Sequence, residues 1–123
     1  DGLYVAVRLL DILTRGDRSL TQWRDAMPAI FNTPETRFDC PDERKFDAVA
    51  EVARALAAEG ADVDTVDGVR VRTADGWWLL RASNTQAVLV ARAEASSEAG
   101  LGRLKAEVAR RLASVGLSPP EGF

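Results

Sequence analysis

The chain has 123 residues, which is enough for one globular domain with a buried core. Its formal net charge of −3 disfavours a general nucleic-acid-binding protein, which needs a basic surface. The apolar runs are too short to span a membrane, and the single cysteine, Cys40, has no partner for an internal disulfide. We therefore expect a protein of the reducing cytoplasm.

The first 27 residues predict two helices. Apolar residues recur at helical spacing, and Gly16 ends this pattern. Ser19 is the expected N-cap of a second, shorter helix. Because the first helix opens almost without a cap, we expect residues 1–27 to be a helical remnant of a preceding domain.

An extended segment follows the helices. Pro28 and Pro34 stiffen it and prevent a helix from continuing, so residues 28–35 are predicted to be a linker or hinge. The compact domain, residues 36–116, is predicted to begin with a strand over residues 36–40.

The first helix of this domain is predicted to run from Asp42 to Gly60. Asp42 is the expected N-cap, and Gly60 supplies the C-terminal stop. The side chains expected to face the core form one apolar stripe: Phe46, Val49, Ala50, Ala53, Leu56 and Ala57.

Four strands and a final helix complete the domain. The strands are predicted over residues 62–66, 69–73, 77–82 and 87–95, and the helix over residues 97–115. Asp67-Gly68 between the first two strands is typical of a hairpin turn, and Trp77 and Trp78 should lie on opposite faces of their strand. The order predicts an α+β fold of two layers, with a mainly antiparallel sheet and two helices on one face. Residues 117–123 are expected to be a loose tail.

The hairpin tip between the last two strands carries the most informative chemistry. Arg81-Ala82-Ser83-Asn84-Thr85-Gln86 combines a guanidinium, two hydroxyls and two carboxamides with backbone N–H groups that we expect to be free. An Arg fork matches two phosphate oxygens, and small polar residues tolerate turn conformations. The motif predicts a phosphate-binding loop, with Arg92 on the following strand as a candidate second cation. By itself, Ser-Asn-Thr is also compatible with an ordinary turn.

The chain offers no catalytic residue beside this loop. It contains no His, no paired-Asp metal loop and no Gly-rich Lys loop, although phosphoryl transfer needs charge neutralisation and an in-line nucleophile. Asp62, Asp64 and Asp67 lack the pattern of a calcium loop and are interpreted as solvated hairpin acids. We therefore expect a domain that holds a phosphate while the chemistry happens elsewhere.

Several strings of the chain resemble a known family when they are taken in order. They are Asp67-Gly68-Val69-Arg70-Val71, Gly76-Trp77, Arg81-Ala82-Ser83-Asn84-Thr85, Val88-Leu89-Val90, Arg92 and Glu94-Ala95. In this order they resemble the C-terminal domain, domain 4, of the bacterial phosphomannomutase/phosphoglucomutase family of α-D-phosphohexomutases. Asn32-Thr33-Pro34-Glu35 is similar to the hinge string of that family, and residues 1–13 are similar to the last helix of its third domain.

The resemblance implies a TATA-binding-protein-like fold for residues of about 36–116. It also implies interconversion of hexose 1-phosphate and hexose 6-phosphate, of mannose or glucose, through a bisphosphorylated sugar intermediate. The residues that would grip the phosphate that is not being transferred are Arg81, Ser83, Asn84, Thr85 and, at the edge, Gln86. Asn84 favours mannose or glucose phosphate over phosphoglucosamine. Ala87 stands where the family usually has Pro, which adds a backbone N–H donor.

The catalytic phosphoserine, the magnesium-binding Asp loop and the sugar-selecting loop of that family have no match in this chain. The resemblance implies that magnesium and phosphoserine belong to three other domains of the same protein, and that this C-terminal piece alone is inactive. Two alternatives stay open: a non-enzymatic binding module that uses the open sheet face, and the same enzyme class acting on phosphoglucosamine. The acidic balance and an expected lack of a basic, aromatic strand face count against nucleic acid, and no membrane partner is expected.

Overall fold

A computed structural model of the protein describes residues 1–119 and 123, and these contain four helices and six strands. In chain order they are α1 (Gly2–Arg15), α2 (Leu20–Asp25), β1 (Phe31–Asn32), β2 (Thr36–Asp39), α3 (Asp42–Ala58), β3 (Asp62–Asp64), β4 (Val69–Arg72), β5 (Gly76–Ala82), β6 (Val88–Ala95) and α4 (Glu98–Ser114). The strands form one antiparallel sheet, with α3 and α4 packed on it. The predicted α+β fold is therefore confirmed.

The sheet is organised around β6. Its strand order is β1-β6-β5-β4-β3, and β2 pairs with β6 on the same side as β1. The β5–β6 hairpin is the longest pairing, running from Gly76 opposite Ala95 to Ala82 opposite Leu89. Because β6 is held from both sides, the tip of its hairpin with β5 projects from the most firmly paired part of the sheet.

The core lies between the sheet and the helices α3 and α4. Alternate residues of β4, β5 and β6 face it, as expected for a sheet that is covered on one side. Trp78 is fully buried there, whereas Trp77 lies on the opposite, open face, which confirms the predicted alternation. The helix α4 contributes Leu104, Val108 and Leu112, as its periodicity predicts.

The helix α3 differs from its prediction in two ways. It begins after Pro41, which occupies the N-cap position, so Asp42 lies in the first turn and not at the cap. The buried face is also rotated: Phe46 is 53% exposed, and Lys45 takes the inward position instead. The residues of α3 that are buried are Lys45, Ala48, Val49, Val52 and Leu56. A lysine replaces a phenylalanine in the interface because it has hydrogen-bond acceptors there, which are described below.

The opening helices bury none of their described residues against the rest of the chain. The helix α1 is capped, contrary to expectation, because the Asp1 carboxylate accepts hydrogen bonds from the N–H groups of Leu3 and Tyr4. Ser19 is confirmed as the N-cap of α2, where it forms a capping box with Gln22. The apolar side chains of α1 remain in solvent, with Leu3 76% exposed.

The predicted linker contains a short strand that the sequence did not predict. In β1, Phe31 pairs with Ala95, and the neighbouring Thr33 is buried against β6. Thr33 donates its N–H to the Ala93 carbonyl over 2.9 Å, and its Oγ1 accepts the Ala93 N–H over 3.0 Å. These bonds fix the second half of the segment to the sheet, while a hinge role for residues 28–35 stays a prediction.

The predicted tail, residues 117–123, is described in part. Leu117 and Phe123 pack against the core, and residues 120–122 lie outside the described residues. None of the described helices is long and apolar enough to cross a membrane.

The turn between β3 and β4 depends on Gly68. Its φ of +80° lies in the left-handed region, and a Cβ there would come within 2.5 Å of the Leu80 carbonyl oxygen and 2.6 Å of the Arg81 Cβ. Glycine is therefore needed at this position for two reasons: the turn requires a positive φ, and the turn lies close to β5 at Leu80 and Arg81.

The exposed apolar faces of α1 and α2 generate the first prediction. Short helices without tertiary packing are marginally stable in water, so the amides of residues 3–27 should exchange at least about 100-fold faster than those of β5 and β6. Hydrogen–deuterium exchange by NMR measures this directly. Uniformly strong protection across residues 3–27 would contradict the interpretation of this segment as a remnant of another domain.

Replacement of Gly68 generates the second prediction. Gly68→Ala should lower the free energy of unfolding by at least about 2 kcal/mol, because it adds left-handed strain to a backbone clash. Gly102→Ala is the matched control, since Gly102 lies in α4 with open space around it and should gain about 0.5–1 kcal/mol. Urea denaturation of both variants is the measurement, and equal stability of the two would refute the packing role of Gly68.

Candidate functional site

The loop between β5 and β6 brings the predicted site residues together. Arg81 lies next to the end of β5, and residues 83–87 form the connection to β6. The Ser83 N–H donates to the Val88 carbonyl over 3.0 Å, and the Val88 N–H donates to the Gln86 carbonyl over 2.8 Å. Residues 84–87 are exposed. Arg81, Ser83, Asn84, Thr85 and Gln86 thus occupy one closed hairpin tip that is open to solvent.

The Ser83 hydroxyl organises the inside of the loop. Its Oγ accepts hydrogen bonds from the N–H groups of Thr85 and Gln86, at 3.3 and 3.2 Å. The expectation of free backbone donors is therefore wrong for these two groups, because the turn uses them itself. In the described part of the chain, the N–H groups of Asn84 and Ala87 have no protein acceptor. These two donors are the ones that a ligand could engage.

A buried lysine fixes the loop from behind. Lys45 of α3 is only 3% exposed, and its Nζ donates to the Gln86 carbonyl over 2.8 Å and to Asp42 Oδ1 over 2.5 Å. The Cys40 N–H donates to the next carbonyl of the loop, that of Ala87, over 2.9 Å. Because the N–H of a trans peptide points opposite to its carbonyl, holding the Gln86 carbonyl inward directs the Ala87 N–H outward.

The sequence did not single out Lys45. Its one indication is a lysine placed beside the apolar stripe and three residues after Asp42, a spacing that allows an ion pair on one helix face. The contact with Gln86 joins residues 41 positions apart, and periodicity does not predict such a contact.

The guanidinium of Arg81 is only loosely paired. Its Nη1 lies 3.8 Å from Asp67 Oδ2, and the Asp67 side chain is well exposed. A long ion pair with a solvent-exposed carboxylate contributes little free energy, so it competes weakly with a ligand. Arg81 therefore presents its donors beside the loop.

A second arginine, which the sequence did not single out, reaches the same loop. Arg37 of β2 donates from Nη1 to Gln86 Oε1 over 3.2 Å. It also donates from Nε and Nη2 to Glu35 Oε1, over 3.0 and 2.8 Å. The register explains the proximity, since Val90 of β6 lies opposite Arg37 on one side and opposite Arg81 on the other.

Arg92, the candidate second cation, lies on the same open face two residues after Val90. Its Nη2 is 4.0 Å from Glu94 Oε2, and its Nε is buried with no hydrogen-bond partner among the described residues. The hydrogen bond from Arg37 lowers the pKa of Glu35, and this effect exceeds the rise that burial causes. The charges of Arg37, Arg81 and Arg92 lower that pKa further. One carboxylate thus experiences the charges of three arginines.

The open face is more basic than expected. The residues that β-strand alternation places there include Arg37, Arg70, Arg72, Arg81 and Arg92. The Arg70 guanidinium lies 4.5 Å from the centre of the Trp77 ring, and Arg72 pairs with Asp62 over 3.7 Å. The expectation that the sheet lacks a basic, aromatic face is therefore wrong, although acidic side chains neutralise much of this charge.

The described residues contain no group of three or more His, Cys, Asp or Glu side chains placed to hold a metal ion. Cavities on the helix side of the sheet include one of about 660 Å³, which is lined by Trp78, Leu104 and other residues remote in sequence from the loop. Another, of about 290 Å³, includes Asn84, together with Phe46 and Gly68. A third, of about 420 Å³, is lined in part by Glu35 and Arg37. Cavity size does not identify a phosphate site, because a loop tip binds an anion at an open surface.

Comparisons with known proteins agree with this architecture. Residues 35–111 match the family model described as "Phosphoglucomutase/phosphomannomutase, C-terminal domain". The chain is 46% identical over 105 residues to a phosphomannomutase/phosphoglucomutase of Pseudomonas putida, covering 85% of this chain and 23% of that protein. It is 38% identical over 123 residues to a protein of the same name from Pseudomonas aeruginosa, covering 100% of this chain and 27% of that protein.

Two further similarities bear on the fold and on the substrate. A crystal structure of a phosphoglucomutase/phosphomannomutase family protein from Burkholderia thailandensis superimposes with a TM-score of 0.74 at 35% identity, covering 94% of this chain and 24% of that one. A probable phosphoglucosamine mutase of Methanopyrus kandleri is 37% identical over 98 residues, covering 80% of this chain and 22% of that protein. The chain spans about a quarter of the length of the curated relatives it matches. It belongs to the phosphoglucomutase/phosphomannomutase family of phosphohexomutases, as their C-terminal domain, domain IV.

Proposed function

We propose that this domain binds the phosphate group of a hexose phosphate at the loop of residues 81–86, and that this phosphate is the one that is not being transferred. The observation that carries the proposal is the convergence of the Arg81 guanidinium with a loop whose backbone is held in place from behind by Lys45. Asn84 and Thr85 supply exposed polar side chains at the tip.

The donors of the loop suit an oxyanion in number and direction. Arg81 offers a planar fork of N–H groups that can donate to two phosphate oxygens, and hydrogen bonds to an ionised acceptor are about twice as strong as neutral ones. The N–H groups of Asn84 and Ala87, which have no acceptor among the described residues, add backbone donors without a cost in side-chain entropy. The loop is closed by its own hydrogen bonds, so the binding geometry is largely formed before the ligand arrives.

The domain would act by positioning its substrate. Binding energy at a phosphate remote from the reacting one orients the sugar and stabilises a closed arrangement of domains, which lowers the barrier of the transfer step. The three other domains of the parent protein would supply the serine, the magnesium and the general acid and base. This chain alone would be inactive.

We propose mannose or glucose phosphate as the substrate of the parent enzyme. The loop string that contains Asn84 supports this choice, as do the names of the two Pseudomonas relatives. The similarity to a probable phosphoglucosamine mutase gives the competing substrate, so glucosamine 1-phosphate belongs in the same binding experiment.

An NMR titration of the ¹⁵N-labelled chain with glucose 1-phosphate tests the proposal. We expect shifts confined to residues 81–87 with a Kd of about 1 mM, since one loop without a closed cleft binds weakly. Glucose without phosphate should cause none, and Arg81→Ala should abolish the shifts. Arg72→Ala is the matched control, because Arg72 lies on the same face at the other side of the sheet. Absence of shifts in the loop up to about 50 mM would refute binding by this chain.

Replacement of Lys45 tests the rigidity of the loop. Lys45→Met should remove the charged one of the two hydrogen bonds that the Gln86 carbonyl accepts and leave only the bond from the Val88 N–H. This loss costs about 1–3 kcal/mol and should raise the mobility of residues 84–87. Backbone order parameters report the mobility, and we expect about three- to tenfold weaker binding of glucose 1-phosphate. Arg54→Met on the exposed side of α3 is the control and should leave both quantities unchanged. Unchanged loop dynamics in Lys45→Met would contradict the anchoring role.

A further inference from the structure

The pairing of β2 with β6 places Arg37 beside the loop. Its β2 register is fixed by four consecutive pairs with β6, from Thr36 opposite Ala91 to Asp39 opposite Val88. Its guanidinium lies between two acceptors, Gln86 Oε1 of the loop and Glu35 Oε1. The side chain therefore has one contact on the proposed phosphate site and another on a carboxylate just outside the sheet.

Arg37, Arg81 and Arg92 surround one position of the open face, which is Val90. Arg37 and Arg81 are its direct cross-strand neighbours on either side, and Arg92 follows it by two residues along β6. Val90 is only 2% exposed although it faces away from the core, and we attribute this to the aliphatic stems of the arginines over it. The charges of all three also act on one carboxylate, that of Glu35, which immediately precedes β2.

The three arginines differ in how closely a carboxylate pairs with each guanidinium. Arg81 and Arg92 have carboxylates no closer than 3.8 and 4.0 Å, beyond hydrogen-bond distance. Arg37 instead donates two hydrogen bonds to a single oxygen of Glu35. Glu35 thus makes the same kind of contact that a phosphate oxygen would make. Both partners are about half exposed, so the carboxylate can leave without opening the core.

We propose that Arg37 is a second phosphate-binding residue of this site and that Glu35 occupies its guanidinium until the phosphate of the ligand displaces it. The inference rests on the proposed function of the loop and extends it to a residue on a different strand. Gln86 keeps the guanidinium at the loop during the exchange, since its side-chain carbonyl accepts from Nη1 and leaves Nε and Nη2 for the incoming oxygens. Glu35 then acts as an internal competitor that weakens binding.

Binding of inorganic phosphate and of glucose 1-phosphate to single and double variants tests the exchange. Arg37→Gln should weaken the Kd about tenfold through loss of a charge-assisted contact, and Glu35→Gln should tighten it about three- to tenfold. In the double variant the gain from Glu35→Gln should disappear, because no guanidinium is left to release. Arg37→Lys, which keeps the charge without the fork, should lie between Arg37→Gln and the unmodified chain.

The opposite edge of the sheet offers a matched control pair. Arg72 and Asp62 form an exposed ion pair of similar kind on β4 and β3, so Arg72→Gln and Asp62→Asn change the same charges without touching the loop. Both should leave the Kd within about twofold. If the substitutions at Arg72 and Asp62 changed the Kd as much as those at Arg37 and Glu35, the effects would be explained by long-range charge alone. That result would overturn the proposal.

The failure of this inference is distinguishable from failure of the proposed function. If Arg81→Ala abolishes binding while Arg37→Gln and Glu35→Gln stay within twofold, the loop binds phosphate and the exchange mechanism is wrong. If the unmodified chain shows no loop shifts with either ligand, both are wrong. Because Arg37 and Glu35 are exposed, the variants should remain folded, and their amide spectra verify this.

Discussion

The buried ammonium of Lys45 is the interaction on which the geometry of the site depends. Removing a charged group from water is costly unless acceptors surround it, and Lys45 meets this requirement with the Gln86 carbonyl and the Asp42 carboxylate. The bond to Gln86 determines which way a loop peptide faces, and it also explains why α3 turns Lys45 inward and leaves Phe46 in solvent. The conformation of the loop and the rotation of α3 about its axis therefore depend on the same hydrogen bond.

The sheet transmits this order to the arginines of the open face. Strands are spaced by about 4.8 Å, so two side chains that flank one residue of β6 lie roughly 10 Å apart at their Cα atoms. Long arginine side chains extend from both neighbours of Val90, and the charges of Arg37, Arg81 and Arg92 all act on Glu35 without any need for a deep pocket. A firmly paired sheet thus supplies the precision that a loop alone would lack.

The sequence predicted the features that depend on residues close together in the chain. Hydrophobic periodicity located the sheet and the helix α4, the Asp67-Gly68 turn was visible as a dipeptide, and the Arg-Ala-Ser-Asn-Thr string identified the loop. Arg37 and Lys45 escaped prediction because their partner Gln86 is 49 and 41 residues away, and only strand register and helix rotation bring them together. The role of the Ser83 hydroxyl was not predicted for a different reason. A serine in a turn can hydrogen-bond to the turn itself, as Ser83 does, or to a ligand, and the residue type does not decide between the two.

The electrostatics of the described carboxylates favour binding over acid–base chemistry. Arginines that donate hydrogen bonds to Glu51, Glu59 and Asp75 lower the pKa values of these groups, as Arg37 does for Glu35. A general acid near neutral pH needs the opposite shift, which comes from burial or from a neighbouring negative charge. Each of these carboxylates is instead held ionised as the partner of a guanidinium. This arrangement supports the proposed role in orienting a phosphate, under which proton transfer at the sugar requires groups with the opposite pKa shifts.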